Sequence, residues 1–257
     1  MRRFVIGDIH GCDKALRTII DTIAPNPSDE IIFLGDYIDR GPNSKGVIEQ
    51  LLKLTSECQV ITLRGNHEIM LQGVALHGLD EQLWLANGGR ATLTSYGGKI
   101  AKIPDSHMDF FHGLRAYHET GESIFVHAGY DHSLEMHRQP EMNTYWMHLA
   151  FPFPPPHVSG KRVYVGHSPQ GSGDILDLGH LVCLDTYCFG GGYLTAFNLD
   201  TLDCIQADRH GHLRRAPFAI VGDGIKRLAS RLGATYRKFS KDKTEPDDDP
   251  TPDAKES

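Results

Sequence analysis

Five short segments each set an apolar run against a loop dense in oxygen and nitrogen donors. They are Gly7-Asp8-Ile9-His10-Gly11, Gly35-Asp36-Tyr37-Ile38-Asp39-Arg40-Gly41, Gly65-Asn66-His67-Glu68, His127-Ala128-Gly129 and Gly166-His167. Carboxylate, imidazole and amide oxygen without thiolate suit a hard or borderline divalent cation such as Mn, Fe or Zn. Asp8, His10, Asp36, Asn66, His127 and His167 are too many ligands for one ion that must keep open positions. Two ions about 3.5–4 Å apart, bridged by one carboxylate, use them all. Asp36 is the expected bridge, with Asp8 and His10 completing the first shell and Asn66, His127 and His167 the second. Such a pair acidifies a shared water toward neutrality and neutralises a phosphoryl group under in-line attack.

The leaving oxygen still needs a proton. His67, next to ligand Asn66, is the candidate general acid, and Asp39 the partner that fixes its tautomer and raises its pKa. Arg40 and Arg64 are candidates to fork onto phosphate oxygens. Any one of these segments alone is a common chance occurrence; five in one chain are not.

The elements that must position these loops follow from hydrophobic periodicity. Short β-branched runs at 3–6, 30–34 and 59–63 read as strands, each running into a Gly-containing polar loop. Helical stripes lie between them at 14–23 and 44–54. This alternation predicts an α/β architecture, in which loops at the carboxyl ends of strands converge on one crevice. Residues 67–113 read as a helical insert, with a stop and restart near Trp84-Leu85-Ala86-Asn87-Gly88-Gly89. Strands are expected again at 114–118, 123–126, 162–165, 181–184, 194–199 and 204–207, forming a second sheet. A last helix over 217–232 precedes a tail, 240–257, that reads as disordered, so the expected domain spans 1–239.

Composition narrows the function classes. The 257 residues suit one large domain, and no apolar run approaches the ~20 residues of a membrane-spanning helix. The opening Met1-Arg2-Arg3-Phe4-Val5-Ile6-Gly7-Asp8 has too short an apolar run for a signal peptide. Five cysteines without a CxxC pair point to a reducing cytoplasm rather than a disulfide framework. Three Lys and seven Asp or Glu in the tail account for −4 of the net charge of −7, and no Lys/Arg cluster marks a nucleic-acid surface.

Taken together, Asp-x-His-Gly, Gly-Asp-x-x-Asp-Arg-Gly, Gly-Asn-His-Glu, His-Ala-Gly and Gly-His resemble the phosphoprotein phosphatases of the calcineurin-like metallophosphoesterase superfamily, most nearly the bacterial and phage branch. The resemblance runs from residue 1 to about 199. It implies a four-layer αββα sandwich, two divalent metals with Mn foremost, and hydrolysis of phosphoserine and phosphothreonine, with phosphotyrosine as a further substrate. The expected partners are a phosphoprotein or small phosphoester, with no nucleic acid and no membrane. It also implies that Asp8, His10, Asp36, Asn66, His127 and His167 are metal ligands, His67 the acid, Asp39 its partner and Arg40 a phosphate-binding arginine. Cys183-Leu184-Asp185-Thr186 and 191–195 resemble the closing strand pair.

Two departures stand out. Where related bacterial enzymes carry a second phosphate-binding arginine after a tryptophan, Tyr145-Trp146-Met147-His148 offers His148, with Arg138 or Arg162 as substitutes. Tyr187 stands where the related Asp-Thr-Gly motif has glycine. The alternative activity is a symmetrical diadenosine tetraphosphate hydrolase. Those enzymes typically lack the Asp that is Asp39 here and carry Asp in place of Glu68.

Overall fold

The computed structural model describes residues 1–214; the expected helix over 217–232 and the tail from 240 lie outside them. In the first half, β1 (Arg3–Ile6), β2 (Glu30–Phe33) and β3 (Gln59–Thr62) alternate with α1 (Asp13–Ile23) and α2 (Ser44–Leu54). The three strands pair in parallel. Period-3.6 burial explains the helices: Ala15, Leu16, Ile19 and Ile23 of α1, and Val47, Ile48, Leu51 and Leu54 of α2, face the sheet. Asn43 starts α2 by accepting the Gly46 N–H at 3.0 Å.

The insert is helical, as its composition predicts. It runs through α3 (Asn66–His77), α4 (Gln82–Trp84), α5 (Arg90–Ser95) and α6 (Asp105–His112). Its stop and restart is a widened turn over Leu85–Gly89, broken by Gly88 at φ 108°.

The second sheet takes β4 (Tyr117–Glu119), β5 (Ser123–Val126), β6 (Arg162–Val165), the unforeseen β7 (Leu176–Asp177) and β8 (Leu181–Cys183), in the order β4-β5-β6-β8-β7. The strands at 194–199 and 204–207 are a correction to the sequence reading. As β9 (Leu194–Asn198) and β10 (Cys204–Ala207) they return to the first sheet, β9 lying antiparallel to β1. Their two inner faces explain it: Leu194 and Ala196 join Phe4, Ile6, Ile31 and Phe33 under the helices. Val5, Ile32, Phe125, Tyr164 and Phe197 are buried with the opposite parity, and Phe125, Tyr164 and Phe197 form an aromatic chain joining the sheets.

The result is the expected α/β sandwich, two mixed sheets face to face, with helices over the outer side of the first. Among the described residues, the outer side of the second sheet is covered by irregular chain that brings Tyr130, Met136 and Leu149 onto Ile124, Val126 and Val163. No helix among these residues is long and apolar enough to cross a membrane.

Candidate active site

Strands β1, β2, β3, β5, β6 and β8 are the parallel ones, and the chemistry-bearing loops leave their carboxyl ends. Close approach of those loops depends on glycine at two places. A Cβ on Gly65 would collide with the Asp36 carboxylate, and one on Gly166 with that of Asp8. His10, Asp36, Asp39, Arg40 and His167 all take positive φ, between 46° and 72°, a conformation that costs non-glycine residues energy and persists only where surroundings enforce it. Glu68 supplies much of that enforcement. Its buried carboxylate accepts the backbone N–H groups of Asp36 (3.0 Å), Tyr37 (2.8 Å), Ile38 (3.3 Å) and Gly65 (3.0 Å). Burial pushes this carboxyl up to about 8, against the pull of those donors. Glu68 therefore braces the β2 and β3 loops to one another rather than facing a substrate.

Asp36 lies at the centre. His10 Nε2 is 3.4 Å and His67 Nε2 3.9 Å from its Oδ2, and His127 Nε2 is 3.4 Å from its Oδ1. Burial pushes its carboxyl up, whereas positive charge on the surrounding rings, His127 foremost, would hold it below the usual range. Asn66 Oδ1 stands 3.1 Å from His127 Nε2 and 3.0 Å from His167 Nδ1. Two donor clusters result, His10 with Asp36 and His67, and Asp36 with His127 and His167, sharing Asp36. Asp8 is buried beside them, both its oxygens taking the His167 N–H at 3.1 and 2.9 Å. Burial, together with Asp185 and Asp36, pushes its carboxyl well up.

The tautomers test whether these residues fit a cation. His127 Nδ1 lies 2.8 Å from Leu34 O and His10 Nδ1 2.9 Å from Ile38 O, so each ring donates there and turns an Nε2 lone pair inward. His167 Nε2 faces Trp146 O at 3.2 Å, leaving the Nδ1 lone pair inward. Burial holds all three rings below their ordinary pKa, His167 at about 3, and so in the neutral, ligating form. Lone pairs of nitrogen thus meet carboxylate oxygen. Reversing the Asn66 amide would offer hydrogens to two of the rings, yet Asp36 Oδ1 still confronts His127 Nε2. Such a pocket is complementary to divalent cations.

His67 and Asp39 are arranged differently. His67 Nδ1 is 2.6 Å from Asp39 Oδ2, and its buried Nε2 has no partner. Burial lowers the His67 pKa, but Asp36 and the hydrogen bond to Asp39 outweigh it and raise the net value. Burial pushes the Asp39 carboxyl up as well, opposed by its hydrogen bonds. The insert provides two of these: Trp84 Nε1–H donates to Asp39 Oδ2 at 2.9 Å, and Thr92 Oγ1–H to Oδ1 at 2.6 Å. Trp84, buried in the core, is also a donor to the site. Nothing in its spacing reveals that.

The arginines separate. Arg40 is exposed at the rim, with Nη1 3.0 Å from His10 Nε2 and its guanidinium over the Phe189 ring at 4.8 Å. Arg64 is half-buried and donates to Leu114 O at 3.3 Å, leaving a buried Nε without a partner. His148 is exposed and stacks on His167, centroids 4.3 Å apart. Arg162 is ruled out as a phosphate contact: it starts β6, at the opposite end from His167, and pairs with Asp177 at 2.6 Å. Tyr187 keeps the turn expected of glycine by adopting φ 64°, its N–H closing onto Asp185 Oδ1 at 3.0 Å.

Asp185 is the acid that sequence reading left without a role. It follows β8 as Asp36 follows β2, it is buried with Oδ2 unpartnered, and burial pushes its carboxyl up to about 7. The repeated pattern of a strand followed by an acid was the available signal.

The symmetrical bis(5'-nucleosyl)-tetraphosphatase of Acidovorax is 32% identical over 134 residues, 50% of this chain and 44% of that protein. Serine/threonine-protein phosphatase 1 of Salmonella typhimurium is 29% identical over 201 residues, 75% of this chain and 89% of that one. The tetraphosphatase relative is thus matched over less than half its own length. Among solved structures, a candidate diadenosine tetraphosphatase superposes with a TM-score of 0.62 at 21% identity, over 80% of this chain and 92% of that one. A cold-active protein-tyrosine phosphatase of Shewanella gives 0.55 at 15%, over 83% and 79%. At these identities the structural likeness establishes the fold alone. The calcineurin-like phosphoesterase profile matches residues 1–184, the stretch that contains both donor clusters and the His67–Asp39 pair, and the chain belongs to that family.

Proposed function

We propose that this chain is a metal-dependent phosphomonoester hydrolase acting on phosphoserine and phosphothreonine side chains. The observation that carries the reading is the His67–Asp39 pair, 2.6 Å apart, with His67 Nε2 free and 3.9 Å from Asp36. A serine or threonine alkoxide is a strong base and must be protonated as it leaves, whereas a nucleotide phosphate leaves as a stable anion. A buttressed acid therefore matters most for the monoester. The Salmonella phosphatase, aligned over 89% of its length, adds support.

Asp36, Asn66, His127 and His167, with His10 and Asp8, would hold two divalent ions, Mn foremost and Fe or Zn by the same donors. Bound there, the ions supply Lewis acidity toward phosphoryl oxygens and an acidified water. The chain's own residues do the rest. Arg40, braced on Phe189, orients the phosphate; Asp39 holds the His67 Nδ1–H, so that Nε2–H faces the leaving oxygen. His148 borders the mouth. This reading includes a cytoplasmic setting, in keeping with five unpaired cysteines.

A symmetrical dinucleoside tetraphosphate hydrolase is the second reading, supported by the 32% identity of the Acidovorax enzyme. Turnover of phosphoserine, phosphothreonine and phosphotyrosine peptides beside diadenosine tetraphosphate, with added Mn and Asp36→Asn as blank, separates the two. Peptide turnover well above the dinucleotide supports the proposal; dominant dinucleotide cleavage refutes it.

A further inference from the structure

Beside Arg40 the loops leave a groove of about 500 Å³, bordered by Lys14, Arg40, Thr94, Phe189, Arg209 and His210. Among the described residues, no carboxylate lines it. Lys14 stands in the first turn of α1, directly after the Asp8–His10 loop. Arg209 lies on the turn after β10, which is tied to α1 by a hydrogen bond from Thr18 Oγ1 to Gly211 O, 2.9 Å long. Both cationic side chains are exposed, and neither forms an ion pair with a carboxylate among the described residues. The acids adjacent in sequence are engaged elsewhere: Asp13 accepts from Asn43 at 2.7 Å, and Asp208 from the N–H groups of His210 and His212 at 2.8 and 3.0 Å. The groove is continuous with the catalytic crevice through Arg40 and Phe189, since Phe189 also meets His10 edge-on at 4.9 Å.

We propose that this groove is a second anion subsite, which receives a carboxylate or phosphate carried by a residue next to the phosphorylated side chain. The inference rests on the protein-phosphatase reading and narrows its substrate class to acidic or multiply phosphorylated peptides. Three cations converge on one groove, and only Arg40 is needed at the scissile phosphate. Among the described residues Arg209 Nε meets only the His210 ring, at 3.3 Å, so Lys14 and Arg209 gain an anionic partner when the substrate supplies a further negative charge.

The test uses the full chain with Mn and three phosphoserine peptides, flanked by aspartate, by a second phosphoserine, or by alanine. p-Nitrophenyl phosphate, which has no flanking group, is the reference. The wild type is expected to show a KM about 5- to 10-fold lower for the anion-flanked peptides, shrinking as salt is raised. Lys14→Gln combined with Arg209→Gln should erase that preference while leaving kcat and p-nitrophenyl phosphate turnover unchanged, which also reports that the variant is folded. With a lysine-flanked phosphoserine peptide added, Lys14→Glu should shift preference toward it. Comparing the aspartate and phosphoserine arms tells which anion the subsite favours. Equal KM for all three peptides, or a preference that survives the double substitution, overturns the subsite and leaves the phosphatase reading standing. Hydrolysis of p-nitrophenyl phosphate or the dinucleotide with no peptide turnover overturns the phosphatase reading and the peptide subsite with it.

Discussion

Asp36 and Asp39 lie three residues apart in one loop, are equally inaccessible to water, and have opposite surroundings. Around Asp36, apart from the His67 backbone N–H at 3.2 Å on Oδ1, the neighbours are imidazole nitrogens at 3.4–3.9 Å, two of them on rings whose other nitrogen donates to Leu34 O or Ile38 O. Around Asp39 the neighbours are donors: the indole of Trp84, the hydroxyl of Thr92 and Nδ1 of His67. A buried carboxylate faced by donors is satisfied by the protein alone; one faced by lone pairs requires a cation. The Asp36 region is built to hold ions, and the Asp39 region to hold a proton on a neighbouring ring.

This contrast makes four predictions, the largest first. Asp36→Asn should abolish turnover, exceeding the loss from any other single change here. It should also remove the rise in Tm on adding Mn, about 5–10 °C for ion at 100 times its Kd, while Asp39→Asn keeps that rise. Calorimetry with and without Mn decides it; a Tm shift surviving in Asp36→Asn would break the contrast.

His67→Asn should lower kcat about 10²–10⁴-fold on a phosphoserine peptide and much less on p-nitrophenyl phosphate, whose leaving group needs no proton. The pH profile follows from the raised His67 pKa. The acid form is required, so wild-type kcat falls as pH rises through that value, and the variant loses this alkaline limb. Trp84→Phe keeps an aromatic side chain, smaller than indole, and removes the N–H; it should cost about 10- to 100-fold in kcat with the Mn-induced Tm shift intact.

The smallest effect sharpens the comparison away from the site. Asp29 resembles Asp39 in kind, accepting from Arg2 N, Nε and Nη2 and from Asn26, and the Arg2 hydrogen bond holds its carboxyl below the usual range. A depressed folded pKa means that its stabilisation is present above the unfolded value, about 4, and is lost as pH falls through the lower folded value. Asp29→Asn should cost roughly 1–2 kcal/mol at neutral pH and flatten the acid limb of urea midpoints, with turnover unchanged.

The candidate site was legible because its participants sit on short glycine-containing polar loops that follow apolar runs. Asp36, Asn66, His67, His127 and His167 could be singled out before any coordinates, and the fold places them together. Trp84 and Thr92 were not legible as site residues, because a donor to Asp39 has no spacing of its own and arrives through the packing of the insert. Arg162 was misjudged for a related reason. Its type suits phosphate, but its place at the start of β6 puts it at the wrong end of the sheet.

What the sequence by itself determined is local: strand and helix periods, the ends of α2, the loops after β1, β2, β3, β5 and β6, and the chemical types they display. Alternation of apolar residues marks a strand without naming its neighbour, so it could not say that β9 and β10 leave the second sheet to pair beside β1. Only the tertiary structure decided that pairing, because it depends on which two faces can both be buried. It likewise decided whether each buried carboxylate meets donors or lone pairs, since hydrogen-bond direction belongs to the assembled neighbours rather than to the residue itself.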